Sequence, residues 1–139
     1  MQKNIIGISI FKLVFWPCWQ LNNFFISKTG LVWTEGYANG SLKGHVYPDV
    51  PEAFKSWRAD NLSIAIYSSG SVKAQKLLFG QSIAGDLLPY IADHFDTVIG
   101  HKQQQESYAN IVEKLQVKAE HVVFLTDIIK GLSRMMIWN

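Results

Sequence analysis

The stretch Leu62-Ser-Ile-Ala-Ile-Tyr67 constrains the fold more than any other part of the chain. It is short, almost wholly apolar and rich in β-branched residues, and Ser68, Ser69, Gly70 and Ser71 end it abruptly. A strand apolar on both sides has to be covered on both faces, which is the situation of a parallel sheet sandwiched between helices. The surrounding pattern agrees. Asp49, Pro51 and Glu52 read as a helix start, with Asp49 as the N-cap, and Ala53, Phe54 and Trp57 give that helix one apolar face. A second helix is expected from about Val72 to Phe79, and a short one over Leu87 to His94. Phe95 to Ile99 reads as a β-branched strand. Tyr108, Ile111, Val112 and Leu115 recur at i, i+3, i+4 and i+7, a helix face, and His121 to Leu125 reads as another buried strand. Strands separated by helices imply right-handed crossovers and an α/β fold with a parallel sheet, with strands at about 62–67, 95–99 and 121–125.

The 139 residues fit one domain with a sizeable core. Hydrophobic residues at 48% against 17% charged place the chain among globular proteins. Its net charge of +2 is carried by scattered Lys and Arg, so no nucleic-acid partner is expected. Cys18 is the lone cysteine, which excludes an internal disulfide and a cysteine-based zinc site and fits a reducing, cytoplasmic setting. Ile5 to Trp19 is apolar and aromatic, but Lys12 and Pro17 interrupt it, so no membrane span is expected. Lys3 ahead of this run imitates a secretory leader without a small-x-small cleavage site; the plainer reading is a core strand with aromatic packing. Residues 33–50, rich in Gly, Tyr and His, read as loop and turns.

Chemistry-bearing residues follow each expected strand. Ser68 and Ser69 follow the first, Gly100, His101 and Lys102 the second, Thr126 and Asp127 the third. Ligands in open α/β sheets bind beyond the carboxyl ends of the strands. Hydroxyls, an ammonium and a carboxylate gathered there suit a phosphate with a divalent cation. The Ser hydroxyls and the N–H groups opening the 72–79 helix would take phosphate oxygens, Lys102 would offset their charge, and Asp127 would supply an oxygen to Mg²⁺. Each residue has a plainer reading: Ser68 and Ser69 as a turn and cap, Lys102 as a solvated charge, Asp127 as an N-cap. His101 reads as a polar loop residue rather than a base, and nothing pairs with Glu35.

Longer strings carry a family resemblance. Trp33-Thr-Glu-Gly-Tyr37 through Gly44-His-Val-Tyr-Pro-Asp49 resembles the segment by which enolase-phosphatases (acireductone synthases), members of the haloacid dehalogenase superfamily, re-enter their core after the cap. Tyr67-Ser-Ser-Gly-Ser71 with Ala74-Gln-Lys-Leu-Leu-Phe-Gly80 is similar to that family's second motif. Ile99-Gly-His-Lys102 with Glu106-Ser-Tyr108 resembles the third, and Phe124-Leu-Thr-Asp127 the start of the fourth. The resemblance implies a Rossmann-like parallel-sheet core of the haloacid dehalogenase type. It implies a magnesium-dependent hydrolase of L-methionine salvage, hence of amino-acid biosynthesis, that turns a diketo methylthiopentyl phosphate into acireductone and phosphate. It assigns the phosphate to Ser68, Ser69 and Lys102 and the metal to Asp127. A monomer acting on a small-molecule phosphate ester is expected.

The departures are equally specific. The family attacks phosphorus with an Asp in a strand-following Asp-x-Glu-Gly-Thr, yet no Asp precedes Asp49 here. Gly7-Ile-Ser-Ile-Phe-Lys12 with Pro17 resembles the stretch just after that motif; an alternative alignment sets Trp19-Gln20 at the end of the cap. Residues 18–32 leave too little chain for the helical cap, so the core is expected to be incomplete, with the cap largely missing. The expected organisation is a remnant N-terminal segment over 1–32 and a haloacid dehalogenase-like core over 33–139. The acidic residues that follow the fourth motif are replaced by Ile128-Ile-Lys-Gly-Leu-Ser-Arg-Met135. The expected activity is therefore low or absent, as in a truncated or decayed copy. The rival reading is a non-catalytic remnant that binds phosphate or a protein partner.

Overall fold

The computed structural model describes residues 5–9 and 34–126. Four parallel strands form its sheet: β1 (Ile5–Ser9), β2 (Ser63–Tyr67), β3 (Ile91–Phe95) and β4 (Val122–Thr126), in the order β3-β2-β1-β4. Three longer helices accompany it: α1 (Asp49–Ala59), α2 (Val72–Gly80) and α3 (Gln105–Leu115). Residues 5–9 thus contribute a strand that β2 and β4 flank, as the core-strand reading of this run expects. Its register sets Ser9 against Tyr67 on one side and Thr126 on the other.

β2 is buried on both faces, as its composition requires. Ile64 and Ile66 are fully enclosed, packing with Phe54 of α1 and Leu78 and Phe79 of α2. Ala65 and Tyr67 face the other way, into a second cluster with Phe95, Tyr108 and Ile111. Alternate residues of one strand therefore feed two core layers, with α1 and α2 on one face and α3 on the other.

Four local expectations are corrected. The third strand is Ile91–Phe95, not 95–99, and only Leu88–Tyr90 of the expected 87–94 helix is helical, as a 3-10 turn. β3 has just one described neighbour, β2, and its register slips between Ile64 and Ala65 of β2. A strand so placed keeps Asp93 exposed and His94 half-buried, which hides it from a search for continuous apolar runs. The β-branched Thr97-Val98-Ile99 is instead a 3-10 turn that Asp96 caps, with Val98 92% exposed. Asp49 is the first residue of α1 rather than its N-cap. Pro48 holds that position, at φ −59 and with no side-chain cap bond, so Asp49 and Glu52 act through the charge they place in the first turn. Within the expected 33–50 loop, residues 34–38 are helical.

Candidate phosphate site at the carboxyl edge of the sheet

The chain runs from β1 outward to β2 and β3, then returns to the far side of β1 for β4. The reversal at β1 opens a crevice beyond the strands' carboxyl ends. Ser68 follows β2 at that edge, and Thr126 closes β4 level with Tyr67, the residue before Ser68, because both pair with Ser9. Asp127 and the residues after it lie outside the described residues.

The Ser68–Ser71 turn is built from its own hydroxyls. Ser68 Oγ accepts from the Gly70 N–H (3.2 Å), and Ser71 Oγ accepts from the Ala74 N–H (3.2 Å), capping α2. Ser68 is half-buried and Ser69 exposed. A second clamp comes from the adjacent strand. Asp96 Oδ2 accepts from the Val72 N–H (3.1 Å), while its Oδ1 accepts from the Val98 N–H (3.0 Å). The N–H groups of Val72 and Ala74 are therefore engaged within the fold, which corrects the expectation that the opening of α2 is reserved for phosphate oxygens. Asp96 places its own negative charge at that helix end. Asp96→Ala should cost about 1–2 kcal/mol, as the loss of a capping side chain typically does; chemical denaturation reads this directly, and an unchanged midpoint would contradict it.

Gln75, 6% exposed, ties the turn to β3. Its amide nitrogen donates to Gly70 O (2.9 Å) and Phe95 O (2.8 Å). Both amide hydrogens are thus used, so Oε1 is the acceptor facing His94 Nδ1 at 3.1 Å, and His94 must carry its proton on Nδ1. Burial lowers the His94 pKa below 6.5, helped by the charge of Lys76 and opposed by Asp93. The unfolded chain therefore takes up this proton first as pH falls. Stability is flat above the unperturbed value and declines as pH drops below 6.5 toward the folded pKa. Thermal melts between about pH 7.5 and 5.5 should show this decline, and His94→Phe should flatten it; an equal slope in the variant would contradict the assignment.

Lys102 is 8% exposed, not a solvated surface charge. Its Nζ lies 5.6 Å from the centroid of the Tyr67 ring, whose neighbour in sequence is Ser68. Three hydroxyls hold the loop that carries it. Tyr67 OH donates to Gly100 O (2.8 Å), Ser107 Oγ to His101 O (2.8 Å) and Tyr108 OH to Lys102 O (2.7 Å). Burial raises the phenol pKa of Tyr67, against the opposing bond to Ser107; burial, then Tyr67, raises that of Tyr108. Both phenols keep the proton they donate. His101 is exposed, and its Nδ1 accepts from the Gln103 N–H at 3.4 Å, as befits a loop residue. The sequence reading passed over Asp96, Gln75 and these hydroxyls. Asp96 alone announced itself locally, as an Asp two residues before the N–H it caps.

Among the described residues, no group of three or more His, Cys, Asp or Glu gathers to hold a metal, and no helix is long and apolar enough to cross a membrane.

The parallel sheet between helices agrees with the family comparison. A sequence model of haloacid dehalogenase-like hydrolases matches residues 22–133, and the chain belongs to that family. Within it, the chain resembles enolase-phosphatase E1. It is 63% identical to the Drosophila ananassae protein and 62% identical to that of Drosophila melanogaster, each over 99 residues, 71% of this chain and 39% of the relative. The chain thus spans well under half the length of these relatives. The solved UTR4 protein of Saccharomyces cerevisiae is 36% identical and superposes with a TM-score of 0.73, over 84% of this chain and 55% of its own. A predicted phosphoglycolate phosphatase from Haemophilus somnus shares the fold (TM-score 0.65) at 15% identity, over 96% of this chain and 82% of its own.

Proposed function

We propose that this chain is an enolase-phosphatase-type domain that holds a small-molecule phosphate ester without hydrolysing it efficiently. Ser68 and Ser69 donate hydroxyls to the phosphate, and Lys102 balances its charge. Asp127, with waters and the phosphate itself, would hold Mg²⁺, whose chemistry is to offset the negative charge on phosphate oxygens. One protein carboxylate makes that a weak site. The ester is of the diketo methylthiopentyl class handled in methionine salvage, and the setting is a cytoplasmic monomer. The observation that supports this most is the buried Lys102 ammonium over the ring that precedes Ser68.

The test is thermal. A ligand that binds only the folded chain raises its melting temperature in proportion to RT ln(1 + [L]/Kd). Inorganic phosphate at about 100 Kd should add roughly 2.7 kcal/mol, and Lys102→Met should abolish the rise. An equal rise in Lys102→Met, or none in the parent chain, counts against the reading.

A further inference from the structure

We propose that Tyr67, Ser107 and Tyr108 are positioning residues for Lys102, acting together as a hydroxyl clamp on the backbone that carries it. The proposal rests on the phosphate-binding reading above. Gly100, His101 and Lys102 present three successive carbonyls, and each is taken by a different side-chain hydroxyl, at 2.8, 2.8 and 2.7 Å. The donors come from two elements, β2 and α3, so the loop is fastened to both. Rings extend the fastening. Tyr67 meets Tyr108 edge to face at 5.7 Å, and Tyr108 meets Phe124 of β4 in the same way at 5.1 Å.

Tyr67 has two contacts with this segment. Its hydroxyl holds Gly100 O while its ring face lies under the Lys102 ammonium. Because Ser68 is the next residue, the position of the lysine is referenced directly to the hydroxyl turn. A lysine stem has four rotatable bonds and loses much freedom when fixed. Holding the backbone on both sides of it lowers the ordering cost that an arriving anion would otherwise meet. Hydroxyl donors suit this role because they add no charge that would compete with Lys102 for the anion. The loop can take this path because Gly100 adopts φ +137, a conformation open to glycine.

The clamp can be read without any ligand, by mass-spectrometric footprinting with an amine-acylating reagent. In the parent chain Lys102 should label slowly beside the exposed Lys114 and Lys118. Tyr108→Phe and Ser107→Ala each remove one oxygen, and each should speed Lys102 acylation about tenfold, the factor expected from losing one buried hydrogen bond. Lys114 and Lys118 should not change. The same variants should weaken inorganic phosphate binding by a similar factor. Faster Lys102 labelling in the two variants, with no phosphate binding by the parent chain, would sustain the clamp and defeat the phosphate reading. Unchanged Lys102 labelling in both variants would overturn the clamp. So would a uniform rise at every lysine in both, because the hydroxyls would then be serving global stability.

Discussion

Incubated with an aryl phosphate and excess Mg²⁺, the purified chain should release phosphate at least about a thousandfold more slowly than a full-length enolase-phosphatase. Hydroxyls and an ammonium can bind and polarise a phosphate, but displacement at phosphorus by the family's route needs an activated carboxylate. Loss of a covalent nucleophile elsewhere costs on the order of a millionfold in kcat, so a thousandfold is a conservative floor. The fold locates where that carboxylate would be needed. β1 ends at Ser9, level with Tyr67 and Thr126, and the residues that follow in sequence are Ile10 and Phe11. Gly7-Ile-Ser9, which opens the stretch resembling the segment after the nucleophile, here forms the end of the strand itself. The first Asp of the chain, Asp49, is exposed in the opening turn of α1. Turnover close to that of a full-length relative, abolished by Lys102→Met, would contradict this.

Gly100→Ala should unfold the Lys102 loop and remove phosphate binding. Two costs add at this position. The backbone sits at φ +137, which an L side chain rarely adopts. A Cβ there would also collide with Ser107 Oγ and lie 3.0 Å from Ser107 Cβ. Ser107 would have to turn away, and its bond to His101 O would go with it. A destabilisation of about 2–4 kcal/mol is expected from strain at such a φ together with a lost buried bond. The double variant Gly100→Ala, Ser107→Gly removes the clash but not the backbone strain, so it should recover part of the loss. That non-additivity is measurable in denaturant. A single variant as stable as the parent, still binding phosphate, would show that the loop is held otherwise.

The sequence showed best what local periodicity and two-sided burial make visible. β2 is legible because both its faces are apolar. α2 and α3 are legible because their starts follow turn residues and their apolar positions recur every three to four residues. β3 escaped because among the described residues it pairs with β2 alone, its register is irregular, and it carries Asp93 and His94, while the more strand-like Thr97-Val98-Ile99 is a capped turn. β1 was legible as a core strand in the apolar run that opens at Ile5, but its place between β2 and β4 was not, because that place is fixed by pairing with strands far along the chain. At the site, Ser68, Ser69 and Lys102 stood out by their place after strands and by motif. What holds them did not. The Tyr67–Gly100 bond spans 33 residues and joins a residue that reads as core to a backbone carbonyl. No spacing rule links Asp96 to the opening of α2 until β3 and β2 are laid side by side.

In the proposed function the Ser68 turn and the Lys102 loop form one anion site. An NMR titration with inorganic phosphate can follow the backbone amides of Ser68, Ser69 and Gly70 together with the Lys102 side-chain ammonium. All four signals should move along a single saturable curve, and Lys102→Met should abolish the shifts of the three amides. Signals that follow separate curves, or amides that still saturate in Lys102→Met, would contradict it.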